Sequence, residues 1–191
     1  MVGAVILAAG ESQRMGEPKL LLQIRGKRMI EWVVDSFKGV VDEFVVVLGH
    51  NPGSMIPTLE KLGTRWVVNE NYREGMVSSF KKGLERLKNC DAVFLALGDQ
   101  PFVDRDFLMK AVDAWKEGAK IVSPVYKGKK GHPVLFDQSL FDEIFSLREH
   151  GMIRDVIHRH GDKHHLVEAG EWAVTDLDTP ESFRKFMKEK S

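Results

Sequence analysis

The feature that most restricts the fold is a regular alternation between apolar runs and amphipathic stretches along the chain. Apolar segments at 4–9, 44–48, 65–68, 92–97, 120–125 and 134–136, with a weaker one at 165–168, read as largely buried strands. Helical periodicity marks 29–38, 55–62, 77–88, 106–117, 139–146, 152–160 and 180–188. In the first of these, Ile30, Val33, Val34 and Phe37 fall on one face. Gly49, Gly98, Gly118 and Gly128 punctuate the turns. Strands and helices in this alternation predict an α/β protein with a largely parallel sheet. No repeat, low-complexity tract or linker interrupts the 191 residues, so 1–191 reads as one domain.

The first apolar run leads into the most informative stretch, Val5-Ile6-Leu7-Ala8-Ala9-Gly10-Glu11-Ser12-Gln13-Arg14-Met15-Gly16-Glu17-Pro18-Lys19. Ala8, Ala9 and Gly10 leave little side chain in the way, so a ligand can approach the backbone closely. Bare N–H groups in such a loop form a concave anion site. Arg14 can grip phosphate oxygens with a planar fork, and Lys19 adds a compact charge. The Walker loop is excluded, because five residues separate Gly10 from Gly16 and Glu17 follows. The dinucleotide fingerprint is excluded too, since its glycine spacing is absent.

The stretch resembles the signature L-A-A-G-x-S-x-R-M-G-x-x-K of nucleotidyltransferases that make molybdenum cofactor dinucleotides, with every position filled from Leu7 to Lys19. The resemblance runs on to Glu181 through several motifs in the same order. It implies a three-layer α/β/α fold of the Rossmann-like nucleotidyltransferase type, with the site across the carboxyl ends of the strands after Ala9, Val68 and Leu97. It also implies that Leu7, Ala8, Ala9, Gly10, Arg14 and Lys19 bind a nucleoside triphosphate.

A second stretch, Val68 to Ser79, follows a strand and runs into a helix, where ligands bind in open α/β sheets. A glycine followed by Ser78 and Ser79 at a helix start offers hydroxyls and N–H groups to a base or ribose. Alternatively, Ser78 simply caps the helix. The resemblance places Asn69, Gly75, Met76 and Ser79 on the nucleotide.

A third, Val93 to Val103, delivers Asp99 at the end of a buried strand. Asp99 is thereby placed to hold Mg²⁺, a hard ion that takes one or two carboxylates together with phosphate oxygens. Gly98-Asp99-Gln100-Pro101 matches the family's metal-binding motif, with Gln100 and Pro101 expected to shape the turn. In Ser123 to Phe136 the matching motif places Gly131 and His132 on the second substrate, His132 near its phosphate. Lys127, Lys129 and Lys130 in the same hairpin-like excursion are equally well read as solvated turn residues. The sequence departs from the family at Leu147 to Arg154, so Arg154 is not assigned to the site. Near the end, Asp176-Leu177-Asp178-Thr179-Pro180-Glu181 reads as a helix start. By resemblance Asp178 is the second metal ligand.

Lys plus Arg and Asp plus Glu are 28 each, and this zero net charge argues against bulk attraction to nucleic acid or membrane. One cysteine, Cys90, leaves no internal disulfide; with no apolar run of membrane-spanning length, a cytoplasmic protein is expected. His158, His160, His164 and His165 lack an accompanying cysteine and a zinc-motif spacing, so they read as a solvated helix end.

The expected activity is transfer of a nucleotidyl group to the phosphate of molybdopterin or a related pterin, with loss of pyrophosphate. Mg²⁺ is the implied cofactor, and Arg14, Lys19 and Asp99 the catalytic set. Ala9, where the family's guanylyltransferases usually carry glycine, favours CTP over GTP. Passing contact with a molybdenum or tungsten enzyme, or its chaperone, would pass the product on. A sugar, polyol or alcohol phosphate is the alternative acceptor, and a nucleotide-binding regulatory module the alternative of another class. The missing glycine fingerprint disfavours a Rossmann dehydrogenase.

Overall fold

The computed structural model describes residues 1–10, 18–148, 151–175 and 177. The strands are β1 (Val2–Ala8), β2 (Gln23–Ile24), β3 (Lys27–Arg28), β4 (Glu43–Leu48), β5 (Trp66–Val68), β6 (Ala92–Leu97), β7 (Ile121–Tyr126), β8 (Lys129–Lys130), β9 (Val134–Asp137) and β10 (His164–Glu168). The helices are α1 (Met29–Phe37), α2 (Ile56–Lys61), α3 (Met76–Leu84), α4 (Arg105–Lys116), α5 (Phe141–Ser146) and α6 (Ile153–Arg159). The helix expected over 180–188 lies outside the described residues.

One sheet runs in the order β10-β7-β9-β6-β1-β4-β5, with β8 paired to β7. β1 is parallel to both β4 and β6, and β5 is parallel to β4. The mostly parallel expectation therefore holds, with two exceptions: β9 is antiparallel to both β6 and β7, and the short β8 is antiparallel to β7. Insertion of β9 turns the excursion after β7 back into the sheet and brings residues 131–133 to the carboxyl end of β6.

Alternation along each strand builds two cores. Val2, Ala4, Ile6, Val46 and Phe94 face one side with Ile30, Val33, Phe37, Leu59 and Phe107. Val5, Val45, Val47, Val93 and Leu95 face the other with Phe80, Leu84, Ile144 and Val156. Thus α1, α2 and α4 cover one face and α3, α5 and α6 the other, the three-layer α/β/α arrangement. Because both faces are covered, the central strands read as unbroken apolar runs. The segment after Lys19 packs as two short elements. A one-turn 3₁₀ helix, Lys19–Leu21, precedes the β2–β3 hairpin, whose turn carries Arg25 and Gly26 at φ 50° and 80°.

Among the described residues, no helix is long and apolar enough to cross a membrane. The histidines do not form a solvated helix end as a group. His164 lies in β10 with Nε2 2.9 Å from Ser123 Oγ, and His160 pairs with Glu143 at 2.6 Å.

Candidate active site

The site is built where β1 and β6 end side by side. Gly98 N–H donates to Leu7 O at 2.8 Å, tying the two strand ends together. A Cβ on Gly98 would stand 2.7 Å from Leu7 O and 3.1 Å from Leu20 Cδ1, so only glycine allows this approach. Asp99 follows at once and meets Lys19, whose Nζ lies 2.9 Å from Asp99 Oδ2. Lys19 is 6% exposed, an unusual burial for a lysine, while the Asp99 side chain is 28% exposed. A buried ammonium beside a half-buried carboxylate is a desolvated charge pair. A charge held there is screened less by water than one on an exposed lysine.

The wall around the pair is apolar. Leu177 is buried with Ile24 and Met29, and Leu20, Trp32 and Phe102 pack against that cluster. The Trp32 and Phe102 rings sit 5.6 Å apart. Leu20 adjoins Lys19 and Phe102 follows the Asp99 turn, so one cluster fixes both segments. Leu177 brings the chain preceding Asp178 to the same wall. Asp178 itself, and Arg14 of the phosphate loop, lie outside the described residues. Leu7 is half-buried, Ala8 and Ala9 are buried, and Gly10 is exposed.

Across β1 from Asp99, the β4 and β5 ends carry the second expected binding segment. Gly49 lies so close to Ala9 O and Tyr72 that a Cβ there would come within 2.7 Å and 2.6 Å of them. His50 N–H donates to Ala9 O at 3.3 Å. Gly75, at φ 105°, starts α3 without a side-chain cap. Ser78 is therefore not a cap. Its hydroxyl donates to Asn71 O at 3.1 Å and accepts from Asn69 Nδ2 at 2.9 Å. Asn69 is buried, and its amide donates to both Ser78 and Ser79 Oγ while Oδ1 accepts from Asn71 N–H at 3.1 Å. Both amide hydrogens are thus committed, so Asn69 holds the loop against α3 and no N–H donor remains on its side chain for a ligand. Met76 at the helix start is 42% exposed, and the first-turn N–H groups of α3 have no acceptor within the helix. A cleft of about 270 Å³ runs beside this helix, lined by Asn71, Glu74, Ser78, Lys81, Lys82 and Arg148 among others. Arg154 is exposed on α6.

On the other flank, the two residues assigned to the second substrate take different parts. Gly131 N–H donates to Pro124 O at 3.0 Å, and a Cβ there would lie 1.9 Å from Ala173 O. Its role is close packing, which seats the next residue. His132 N–H donates to Ala173 O at 3.2 Å. Burial lowers the His132 pKa below its usual value, although a hydrogen bond to the Leu95 backbone and the nearby Asp99 charge oppose the shift. The ring is therefore neutral at pH 7. Gln100, expected only to shape the turn, has a buried Oε1 with no hydrogen-bond partner. A polar amide directly after the strand-end carboxylate was the available signal for it.

Among the described residues no three His, Cys, Asp or Glu side chains form a metal cage. Mg²⁺ at a nucleotide site does not need one: a single carboxylate with phosphate and water oxygens suffices. Asp99, half-exposed at the strand end, fits that requirement.

A family model described as the MobA-like NTP transferase domain matches residues 4–165, covering the phosphate loop, Lys19, Asn69, Asp99 and His132. The chain is 30% identical to nicotine blue oxidoreductase of Paenarthrobacter nicotinovorans over 73% of its own length and 72% of that protein's. It is 33% identical to a probable molybdenum cofactor guanylyltransferase of Natranaerobius thermophilus, over 66% of this chain and 62% of that one. With the molybdenum cofactor cytidylyltransferase of Escherichia coli it shares 22% identity over 95% of its length and 93% of the relative's. Among solved structures, Rv0371c of Mycobacterium tuberculosis superposes with a TM-score of 0.86 at 27% identity, covering 98% of this chain and 97% of the other. With the strand-end site and the family match covering the same segments, the chain belongs to the MobA-like NTP transferase family.

Proposed function

We propose that the protein transfers a nucleotidyl group, from CTP in preference to GTP, to the terminal phosphate of a molybdopterin-type cofactor. The observation that carries this reading is the desolvated Lys19–Asp99 pair at the joined ends of β1 and β6. In the reaction an oxygen of the acceptor phosphate bonds to the α-phosphorus, and the bond from that phosphorus to the bridging oxygen breaks. Pyrophosphate leaves with the bonding electrons. An ionised phosphate monoester needs no base to make it a nucleophile, so the chain's work is positioning and charge stabilisation.

Lys19 faces the α-phosphate region and stabilises charge on its equatorial oxygens. Arg14 would hold the leaving β- and γ-phosphates. In this reading Met76, exposed at the uncapped start of α3, would meet the base or ribose, and Asn69 holds buried Ser79 in place behind it. Asp99 and Asp178 would hold Mg²⁺, which when bound neutralises phosphate charge and draws the two substrates together. The preference for CTP is inferred from Ala9, a buried side chain in the phosphate loop.

The test is pyrophosphate release with CTP, GTP, ATP or UTP, with and without Mg²⁺ and metal-loaded molybdopterin. Release with CTP only when the pterin is present is the expected result. A preference for GTP would retain the enzyme class and overturn the inference from Ala9. Release only with a sugar or polyol phosphate would replace the acceptor. Tight nucleotide binding with no release on any acceptor would leave a binding module.

A further inference from the structure

Among the described residues the sheet ends on two edge strands, β5 and β10. An edge presents a row of unpaired N–H and C=O groups, which is a template for another strand. β5 has three residues, and an edge that short resists pairing. β10 has five and pairs with β7 in unbroken register from His164 to Glu168. Its sequence, His164-His165-Leu166-Val167-Glu168, contains no lysine, proline or bulge to blunt it. Leu166, at its centre, is 42% exposed.

The ladder to β7 decides which backbone groups are left over. Lys163 O accepts from Lys120 N–H at 3.0 Å, and Ala169 N–H donates to Val125 O at 2.9 Å. Odd-numbered residues of the strand therefore turn their backbone groups to β7. His164, Leu166 and Glu168 turn theirs away from the sheet. The side chains of these three share one face, opposite to Val167, which is buried in the core on the α4 side. Charge along the strand is uneven. His164 at its start lies near the charges of Lys130 and His165, whereas Glu168 at its end is an exposed carboxylate.

We infer that β10 pairs antiparallel with β10 of a second copy of this chain, about a two-fold axis through Leu166. The outward residues are self-complementary in this register. Leu166 meets Leu166 of the partner subunit, His164 stands opposite Glu168 of the partner subunit, and each outward N–H and C=O finds a partner. Centring the axis on His165 or Val167 would also oppose even-numbered residues. It would set Leu166 against a polar side chain, however, and leave one end of the strand unpaired. The choice of a second copy thus comes from charge and apolar complementarity within one strand. β10, β7, β6 and β1 all run the same way, so the two copies' strands point in opposite directions. Their strand-end sites then open at opposite edges of the joined sheet, and neither is covered. The inference is independent of the nucleotidyl-transfer reading.

The experiment is sedimentation equilibrium of the full chain at rising concentration, which should reveal a species of twice the 21.7 kDa chain mass. Leu166→Asp should leave only the monomer while far-ultraviolet circular dichroism and nucleotide affinity match the parent. Glu168→Lys sets a cation opposite His164 and Lys130 of the partner subunit, twice by symmetry, and should raise the dimer Kd about tenfold or more. Register is read by crosslinking. Leu166→Cys places two thiols across the axis, on Cα atoms about 5.5 Å apart, so bismaleimidoethane should join the copies. Glu60→Cys, exposed on α2 between β4 and β5 at the other end of the sheet, should not crosslink, and the native Cys90 is buried. A chain that stays monomeric at every concentration would overturn the proposal and leave the edge to another strand. So would a dimer that survives both Leu166→Asp and Glu168→Lys, or one in which Glu60→Cys crosslinks as fast as Leu166→Cys.

Discussion

Gly83→Ala sets two effects of opposite sign against each other at a position that supports the site. Gly83 is buried inside α3, and replacing an interior helical glycine by alanine ordinarily stabilises by about 1 kcal/mol. Here a Cβ would stand 2.4 Å from Val5 Cγ1 and 2.9 Å from both Val5 Cγ2 and Val47 Cγ2. Apolar carbons pack at about 4 Å, so the nearest contact falls short by roughly 1.6 Å. Valine is stiff about χ1, and Val5 and Val47 are fully buried in the sheet, so the methyls cannot turn away. The helix must lift. Overpacking of this kind costs about 1–3 kcal/mol, and three methyls met at once put the cost near the upper end. The net is about 2 kcal/mol of destabilisation, a fall in Tm of roughly 4–8 °C for a chain of this size. Because Met76, Ser78 and Ser79 ride on the amino end of α3, nucleotide affinity should fall too. Thermal unfolding and nucleotide titration of Gly83→Ala beside Gly53→Ala, where nothing lies within 4 Å, provide the check. A Tm for Gly83→Ala equal to or above that of the parent would refute the packing reasoning.

Lys19→Ala and Asp99→Asn should each lower turnover by orders of magnitude while far-ultraviolet circular dichroism stays native; near-normal rates in either would defeat the proposed mechanism. Asp137 accepts from Lys120, Ser139 and Trp115, which outweigh the opposing cost of burial and pull its pKa down to about 2. A lowered carboxylate pKa stabilises the fold above the unfolded value and loses that contribution as pH falls towards 2, here about 2 kcal/mol. Asp137→Asn should therefore be less stable than the parent at pH 7, with the gap closing on acidification; a gap independent of pH would contradict it. His164, lowered to about 4 by burial and by the Lys130 and His165 charges, should make stability begin to fall earlier, between about pH 6.5 and 4. His164→Gln should flatten that part of the profile. Burial, aided by the hydrogen bond to Glu43, pushes the Cys90 thiol up to about 12, so a thiol reagent at pH 8 should label it only after unfolding. Rapid labelling of the native protein would show the site to be open.

Much of the local structure was legible in the sequence because it depends on short-range periodicity. The strands at 92–97 and 134–136 and the helix at 29–38 match β6, β9 and α1 to within a residue. The carboxyl-end position of Lys19 and Asp99 also followed from the order of motifs. Other features depended on contacts between residues distant in sequence. Nothing local to 134–136 reveals that β9 enters the sheet antiparallel between β6 and β7, because strand order is decided by pairing across the whole chain. Ser78 read as a donor to a base or ribose, or alternatively as a cap; Gly75 begins the helix instead, and Ser78 joins a network centred on Asn69.

An α/β chain with a phosphate-type loop, a strand-end carboxylate and a family signature can be read from residue type and spacing, which carry those features directly. What individual side chains have left to offer a ligand emerges from contacts between distant segments. Asn69 is committed to Ser78 and Ser79, Gly131 is committed to Pro124 and Ala173, and burial keeps the His132 ring neutral. Hydrogen-bond capacity is a property of the residue, but which part remains unused is set by the neighbours that folding supplies.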